Sequence, residues 1–113
     1  MIKVYIASPY TKGNMAVNVG VSLKAFDKLM KLGYAPYAPL LSHFVEINFP
    51  HPYNEWLDLD IEWLEVCDAV LRLPGESSGA DKEVITANEN DIPVFYTIKD
   101  LNNYFFHGET YGK

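Results

Sequence analysis

The chain has a single cysteine, a single arginine and no apolar run long enough to cross a bilayer. Each shortage closes off a class of protein. One cysteine, Cys67, rules out an internal disulfide and fits a reducing cytoplasm, where the protein is expected. Cys67 opens a short apolar run and reads as a small apolar residue. One arginine within a net charge of −6 argues against a binder of duplex nucleic acid, so no polymeric nucleic acid is expected as a partner. A small anion held by backbone N–H groups stays open. Without a spanning run, no membrane partner is expected. His43, His51 and His107 lack the spacing of metal ligands, and neither a metal nor another cofactor is expected. The Gly-x-Gly-x-x-Gly fingerprint of dinucleotide binders is also missing.

What remains is the balance of a soluble globular protein: 113 residues, 49% hydrophobic and 21% charged. That length predicts one domain over residues 1–113, built on one core. Met1 to Ile6 passes directly into a strand pattern, without the layout of a signal peptide.

The most informative stretch runs from Cys67 to Glu83. Its first half is a short apolar run, as in a strand buried on both faces. Pro74 and Gly75 end it. Ser78 then caps a helix starting near Gly79, with Asp81 as the capping-box partner. Strand, tight loop and helix leave free N–H groups at the helix start, where anions bind. On this helix Ala80, Val84 and Ala87 form the stripe that faces the sheet, and Glu83 lies at its edge. Lys82 and Glu89 point to water. A carboxylate in Glu83's position is either a site residue or a side chain that reaches out to solvent.

The rest of the chain repeats the alternation. Lys3 to Ala7 reads as strand one, followed by a loop, Ser8 to Gly13. A helix runs from about Asn14 to Leu32, with Val19, Leu23, Phe26, Leu29 and Met30 as its apolar face. Gly33 closes it. Tyr34 to Ala38 is a second strand whose Pro36 suits a sheet edge. Leu40 to Tyr53 is a long connection, of the kind that often forms a binding loop. It carries His43, Phe44, Glu46, Asn48 and Phe49. Asn54 to Val66 is a second helix. Trp56, Leu59, Trp63 and Leu64 share one side, with Cys67 beyond its end, and Asp60 falls in the middle of that apolar side. A buried polar group without a partner costs ~2–7 kcal/mol, so Asp60 calls for a partner, a ligand or a cleft. Ile92 to Thr97 is a fourth strand, Asp100 to Phe106 a short helix, and Gly108 to Lys113 a loose tail.

This order predicts an α/β fold: a three-layer, flavodoxin- or Rossmann-like parallel sheet of four or five strands with helices on both faces. Ligands bind such sheets at the carboxyl ends of the strands, where strand order reverses. Ser8 to Tyr10, Glu76 to Gly79, Asp60 and Glu83 converge there.

These residues carry a resemblance. Tyr5-Ile6-Ala7-Ser8-Pro9-Tyr10, then Asp60-Ile61-Glu62-Trp63-Leu64 leading to Cys67-Asp68, then Ser77-Ser78-Gly79-Ala80-Asp81-Lys82-Glu83 stand in this order. So arranged, the chain resembles the nucleoside 2-deoxyribosyltransferase-like superfamily, which includes the 2′-deoxynucleoside 5′-monophosphate N-glycosidases. The resemblance implies Glu83 as nucleophile and Asp60 as its assistant. It implies that Ser77, Ser78, Gly79 and the residues after strand one (Ala7, Ser8, Pro9, Tyr10) hold a sugar or its 5′-phosphate. Tyr5, Tyr10 and His43 would line the sugar and base. The family is usually oligomeric, so a homodimer or larger assembly is expected; the aromatic content of the second helix and of Tyr104–Phe106 adds to that expectation. Two features depart from the pattern. The phosphate-binding arginine of the monophosphate hydrolases has no counterpart after Tyr10, where Lys12 is nearby but not equivalent. The extra carboxylate of the deoxyribosyltransferases is replaced by Ser77. The expected activity is cleavage of the N-glycosidic bond of a (deoxy)nucleoside 5′-monophosphate by a retaining mechanism. The alternatives are base exchange between nucleosides, or a non-catalytic module that binds or senses a nucleotide.

Overall fold

The computed structural model describes residues 1–111, with side chains described as far as Phe106. The elements are β1 (Lys3–Ala7), α1 (Met15–Lys31), β2 (Ala35–Tyr37), a 3-10 turn (Pro39–Ser42), α2 (His43–Asn48), α3 (Tyr53–Leu64), β3 (Ala69–Arg72), α4 (Ser78–Glu89), β4 (Val94–Phe95) and α5 (Ile98–Tyr111). The strands form one sheet of four in the order β2-β1-β3-β4. Every pairing is parallel. The chain steps from β1 outward to β2, then crosses to β3 and outward to β4. The reversal of strand order therefore lies between β1 and β3, and a crevice opens there at their carboxyl ends.

The period of two along β1 divides the core. Val4 and Ile6 face one layer with Ala25, Leu29, Tyr34, Leu71 and Leu101, under α1 and α5. Tyr5 and Ala7 face the other with Leu64, Cys67, Val70, Ala80 and Ala87, under α3 and α4. The expected three-layer α/β architecture is present, with four strands.

Several local expectations are corrected. On α1 the buried residues are Ser22, Ala25 and Leu29, whereas Leu23 and Met30 are exposed. The sheet-facing side of α1 thus carries two small residues, Ser22 and Ala25, beside Leu29. Pro36 does sit on an edge strand, where its missing N–H is harmless. The connection from Leu40 to Tyr53 is not an open loop but mostly helical. α3 buries only Leu64 fully; Leu59 and Trp63 are about half exposed, and Trp63 stacks on Tyr37 at 5.6 Å between ring centres. The last strand shrinks to two residues, and α5 starts earlier and runs longer than expected. Phe105 and Phe106 pack against the core, so those aromatics serve the fold itself, while Tyr104 is exposed. The expected loose tail is helical to Tyr111; its last two positions, 112 and 113, lie outside the described residues.

Gly75 shows why the crevice has its shape. Its φ is 118°, a backbone conformation that favours glycine, and a Cβ there would stand 2.8 Å from Pro9 Cγ. The loops after β1 and β3 therefore touch.

Candidate active site

A cavity of about 620 Å³ opens at this crevice. That size suits a small organic ligand. Ser8, Tyr10, Thr11 and Lys12 come from the loop after β1, and His43 and Glu46 from α2. Tyr53, Trp56, Leu57 and Asp60 form one face of α3, spaced as i, i+3, i+4 and i+7. Ser77 to Ala80 and Glu83 come from the start of α4.

Glu83 is 6% exposed and belongs to the buried stripe of α4 with Ala80 and Ala87. The stripe passes through the carboxylate; Val84, expected there, is only half-buried. The Tyr5 hydroxyl donates a hydrogen bond to Glu83 Oε2. Because a phenol has one proton to give, it holds one carboxylate oxygen and leaves the other for a ligand. Burial pushes Glu83 up to about 8, and the charge of Asp60 pushes the same way, while the Tyr5 hydrogen bond and the Arg72 cation oppose them. Burial also raises Asp60, to about 7. Tyr5 itself is raised, first by burial and then by the charges of Glu83 and Asp60, so it stays a donor.

Asp60 and Ser8 add an independent sign. Among the described residues, Asp60 Oδ1 and Ser8 Oγ are buried without a hydrogen-bond partner, and both residues line the cavity. An unsatisfied buried polar group costs about 1–3 kcal/mol. A bound polar ligand would remove that cost.

At the mouth, Ser77 caps α4 by accepting from Ala80 N at 3.1 Å. The cap is thus Ser77, one residue earlier than expected, and the helix begins at Ser78. Asp81 does not close a capping box: its carboxylate accepts from Arg72 at 2.9 Å instead. Gly79 lies beneath Tyr53, whose hydroxyl would stand 3.1 Å from an added Cβ. The opposite wall is a hydrogen-bonded frame. Tyr10 and His43 share a hydrogen bond. Asn18 donates to the carbonyls of Tyr10 and Lys12, at 2.9 and 2.7 Å, and so shapes the first loop. Glu46 Oε1 accepts from Trp56 Nε1 at 2.6 Å and from His51 N at 2.9 Å. The His51 N–H, then that of Trp56, hold the Glu46 carboxyl below its usual range.

Of the residues expected at the site, Glu83, Asp60, Ser8, Tyr10, His43, Ser77, Ser78 and Gly79 come together around the cavity. Tyr5, Ala7 and Pro9 are buried and stand behind its wall. Tyr5 and Ala7 point into the sheet face under α4 because β1 alternates, and Pro9 packs on Gly75. Phe44 and Phe49 are 64% and 71% exposed and do not line the cavity. No role is expected for Tyr53 or Arg72 from sequence pattern alone, and Trp56 is expected in the apolar side of α3. The signal for the first and third was the shared helix face with Asp60. For Arg72 it was a lone cation in an apolar strand, which must find acceptors.

Residues 2–97 match a family described as a domain of unknown function, DUF7768, and the chain belongs to that family. No curated protein matches the chain. Among solved structures the chain is similar to a 2-deoxyribosyltransferase from the psychrotolerant bacterium Bacillus psychrosaccharolyticus, described as a biocatalyst for the synthesis of antiviral and antitumoral nucleosides. The two share 22% identity over 81% of this chain and 69% of that one, with a TM-score of 0.60. The likeness establishes the nucleoside 2-deoxyribosyltransferase-like fold.

Proposed function

We propose that this chain is an enzyme that cleaves the N-glycosidic bond of a (deoxy)nucleoside 5′-monophosphate, with Glu83 as nucleophile. One observation carries the reading: two carboxyl groups, the buried Glu83 and the half-buried Asp60, line one cavity, and among the described residues a hydrogen-bond donor holds Glu83 from behind but none reaches Asp60 Oδ1. The Tyr5 hydroxyl favours the charged form of Glu83. Burial nonetheless holds Glu83, at about 8, above Asp60, at about 7, so the reactive form is the minor arrangement of the pair, with the shared proton on Asp60. In that form the two carboxyls divide the work of a retaining glycosidase.

In the first step Glu83 forms a bond to the anomeric carbon through an oxocarbenium-like transition state. The bond from that carbon to the base breaks, its electron pair leaves with the base, and Asp60 donates the proton the base takes up. In the second step Asp60, now a carboxylate, takes a proton from water as the water oxygen attacks the same carbon. Glu83 is released. The sum is nucleotide plus water giving free base and sugar phosphate. The N–H groups at the start of α4, with Ser77, Ser78 and Gly79, hold the 5′-phosphate. The aromatic frame of Tyr10, His43, Tyr53 and Trp56 faces the base.

Base exchange is the second reading, favoured by the similarity to a 2-deoxyribosyltransferase. A free base then replaces water in the second step. A homodimer or larger assembly is part of the proposal, supported by the exposed Phe44, Ile47 and Phe49 of the α2 region, and light scattering reads it directly. The test of function is incubation with ribo- and deoxynucleosides and their 5′-monophosphates, watching for free base. Release from monophosphates supports hydrolysis. Transfer to added base in excess of hydrolysis supports exchange. Unaltered nucleotide together with measurable binding overturns both and leaves a binding module.

A further inference from the structure

Arg72, the chain's single arginine, is 8% exposed at the carboxyl end of a central strand. It pairs in register with Ala7, while Val70 pairs with Tyr5, so the side chains of Arg72 and Tyr5 enter the same layer beneath α4. A buried cation is costly unless its donors are met. Here the guanidinium donates to the carbonyl of Leu73, to the carbonyl of Gly75 at 3.0 Å and to Asp81 Oδ1 at 2.9 Å. A planar fork reaches acceptors in several directions, which a lysine ammonium on its flexible stem does less rigidly.

Those acceptors bracket one segment. Gly75 lies before Ser77, Ser78 and Gly79, and Asp81 lies after them. Two residues beyond Asp81 is Glu83, held by Tyr5 from the neighbouring strand. The first turns of α4 are therefore tied to the two central strands at two points, Arg72 to Asp81 and Tyr5 to Glu83.

We infer that Arg72 is a positioning residue, which fixes the segment from Gly75 to Asp81 and with it the placement of Glu83 at the cavity. The inference rests on the reading of Glu83 as nucleophile only for its kinetic consequence. Its electrostatic consequence does not. The cation lies close enough to favour the ionised carboxylate and partly offsets the burial of Glu83. The other groups that bear on Glu83 are Tyr5 of β1, Asp60 of α3 and, more weakly, Tyr37 of β2. β4, which also packs on α4, offers no titratable side chain.

The test uses the full chain labelled with ¹³C-carboxyl glutamate, the Glu83 resonance being assigned by its loss in Glu83→Gln. Arg72→Gln removes the cation and should move the Glu83 titration to higher pH. Arg72→Lys restores the charge but not the brace, so the titration should return toward wild type. In the same Lys variant kcat for base release should fall about 10- to 100-fold with KM little changed, as expected of a misplaced reacting group. An unmoved Glu83 titration in folded Arg72→Gln overturns the inference, and so does wild-type kcat in Arg72→Lys. If Arg72→Gln does not fold, Asp81→Asn serves in its place, because that side chain is 67% exposed. It should shift the amide resonances of residues 77–83 more than those of 84–89, and equal shifts overturn the brace. A wild-type chain that releases no base contradicts the proposed function, while the Glu83 titration and the amide shifts still decide the role of Arg72.

Discussion

The hydroxyl of Tyr5 donates to the carboxylate of Glu83, joining residues 78 positions apart in the chain. Tyr5 is fully buried in the central strand, and Glu83 lies on the sheet-facing stripe of α4. The contact exists because β1 turns Tyr5 toward the layer in which α4 packs. It makes the floor of the cavity a hydrogen-bonded carboxylate rather than an isolated one.

Tyr5→Phe keeps the ring and removes the donor. A hydrogen bond to a charged group is worth about 1.5–3 kcal/mol, which corresponds to roughly a 10- to 100-fold rate difference. The variant should lose about that factor in kcat for base release and hold its far-UV spectrum. A Tyr5→Phe chain with wild-type kcat would show that the donor does not serve Glu83 during the reaction.

The pH profile follows from the pair. The proposed mechanism needs Glu83 ionised and Asp60 protonated, the minor arrangement of the one proton that the pair holds between about pH 7 and about 8. The profile of kcat/KM should be a bell that rises through about 7 and falls above about 8. Asp60→Asn should flatten the alkaline limb and slow release by ~10²–10⁴-fold, the usual worth of acid–base assistance. A profile flat from pH 5 to 9 would separate these carboxyls from the chemistry.

Stability carries the same signature. Both groups titrate higher folded than their ordinary values, Asp60 at about 7 against 3.8 and Glu83 at about 8 against 4.5. The folded state therefore holds protons that the unfolded state has released. Their stabilising contribution is complete below those ordinary values and is lost as pH rises through about 7 for Asp60 and about 8 for Glu83. Asp60→Asn removes one source of the loss. Its Tm should exceed wild type by a few degrees at pH 8 and by much less at pH 4, as read by thermal melts at both. An equal offset at the two pH values contradicts the assignment.

The two serines at the start of α4 are expected to differ, Ser77 in stability and Ser78 in ligand binding. Ser77 caps the helix, so Ser77→Ala should cost about 0.5–2 kcal/mol of stability. Ser78 is exposed and lines the cavity, so Ser78→Ala should leave stability within about 0.5 kcal/mol of wild type. It should weaken binding of monophosphates more than that of nucleosides. Calorimetry of melting and of binding separates the two.

The fold and the crevice that holds the candidate site are legible in the sequence because they rest on short-range pattern. Apolar runs, turn residues and helical stripes locate β1, β3, α1 and α4, and parallel alternation locates the crevice. Asp60 and Glu83 stood out because each interrupts an apolar stripe. What stayed hidden needs the third dimension. Whether Tyr5 faces the cavity or supports Glu83 depends on which side of the sheet β1 presents, and a period of two fixes alternation but not side. Ser77 rather than Ser78 caps α4, and the carboxylate expected to complete a capping box, Asp81, pairs with Arg72 instead. The helical content between Leu40 and Tyr53 escaped a pattern search because α2 spans six residues and buries none of them fully.

In the proposed mechanism the Glu83 carboxylate attacks the anomeric carbon. Its most direct test is the intact mass of the protein quenched during turnover of a 2′-deoxynucleoside 5′-monophosphate, followed by peptide mapping. A deoxyribose-phosphate adduct is expected on the peptide containing Glu83. Glu83→Gln should give neither adduct nor base release and should still bind the nucleotide. An adduct on another residue, or base release by Glu83→Gln at the wild-type rate, would contradict the mechanism.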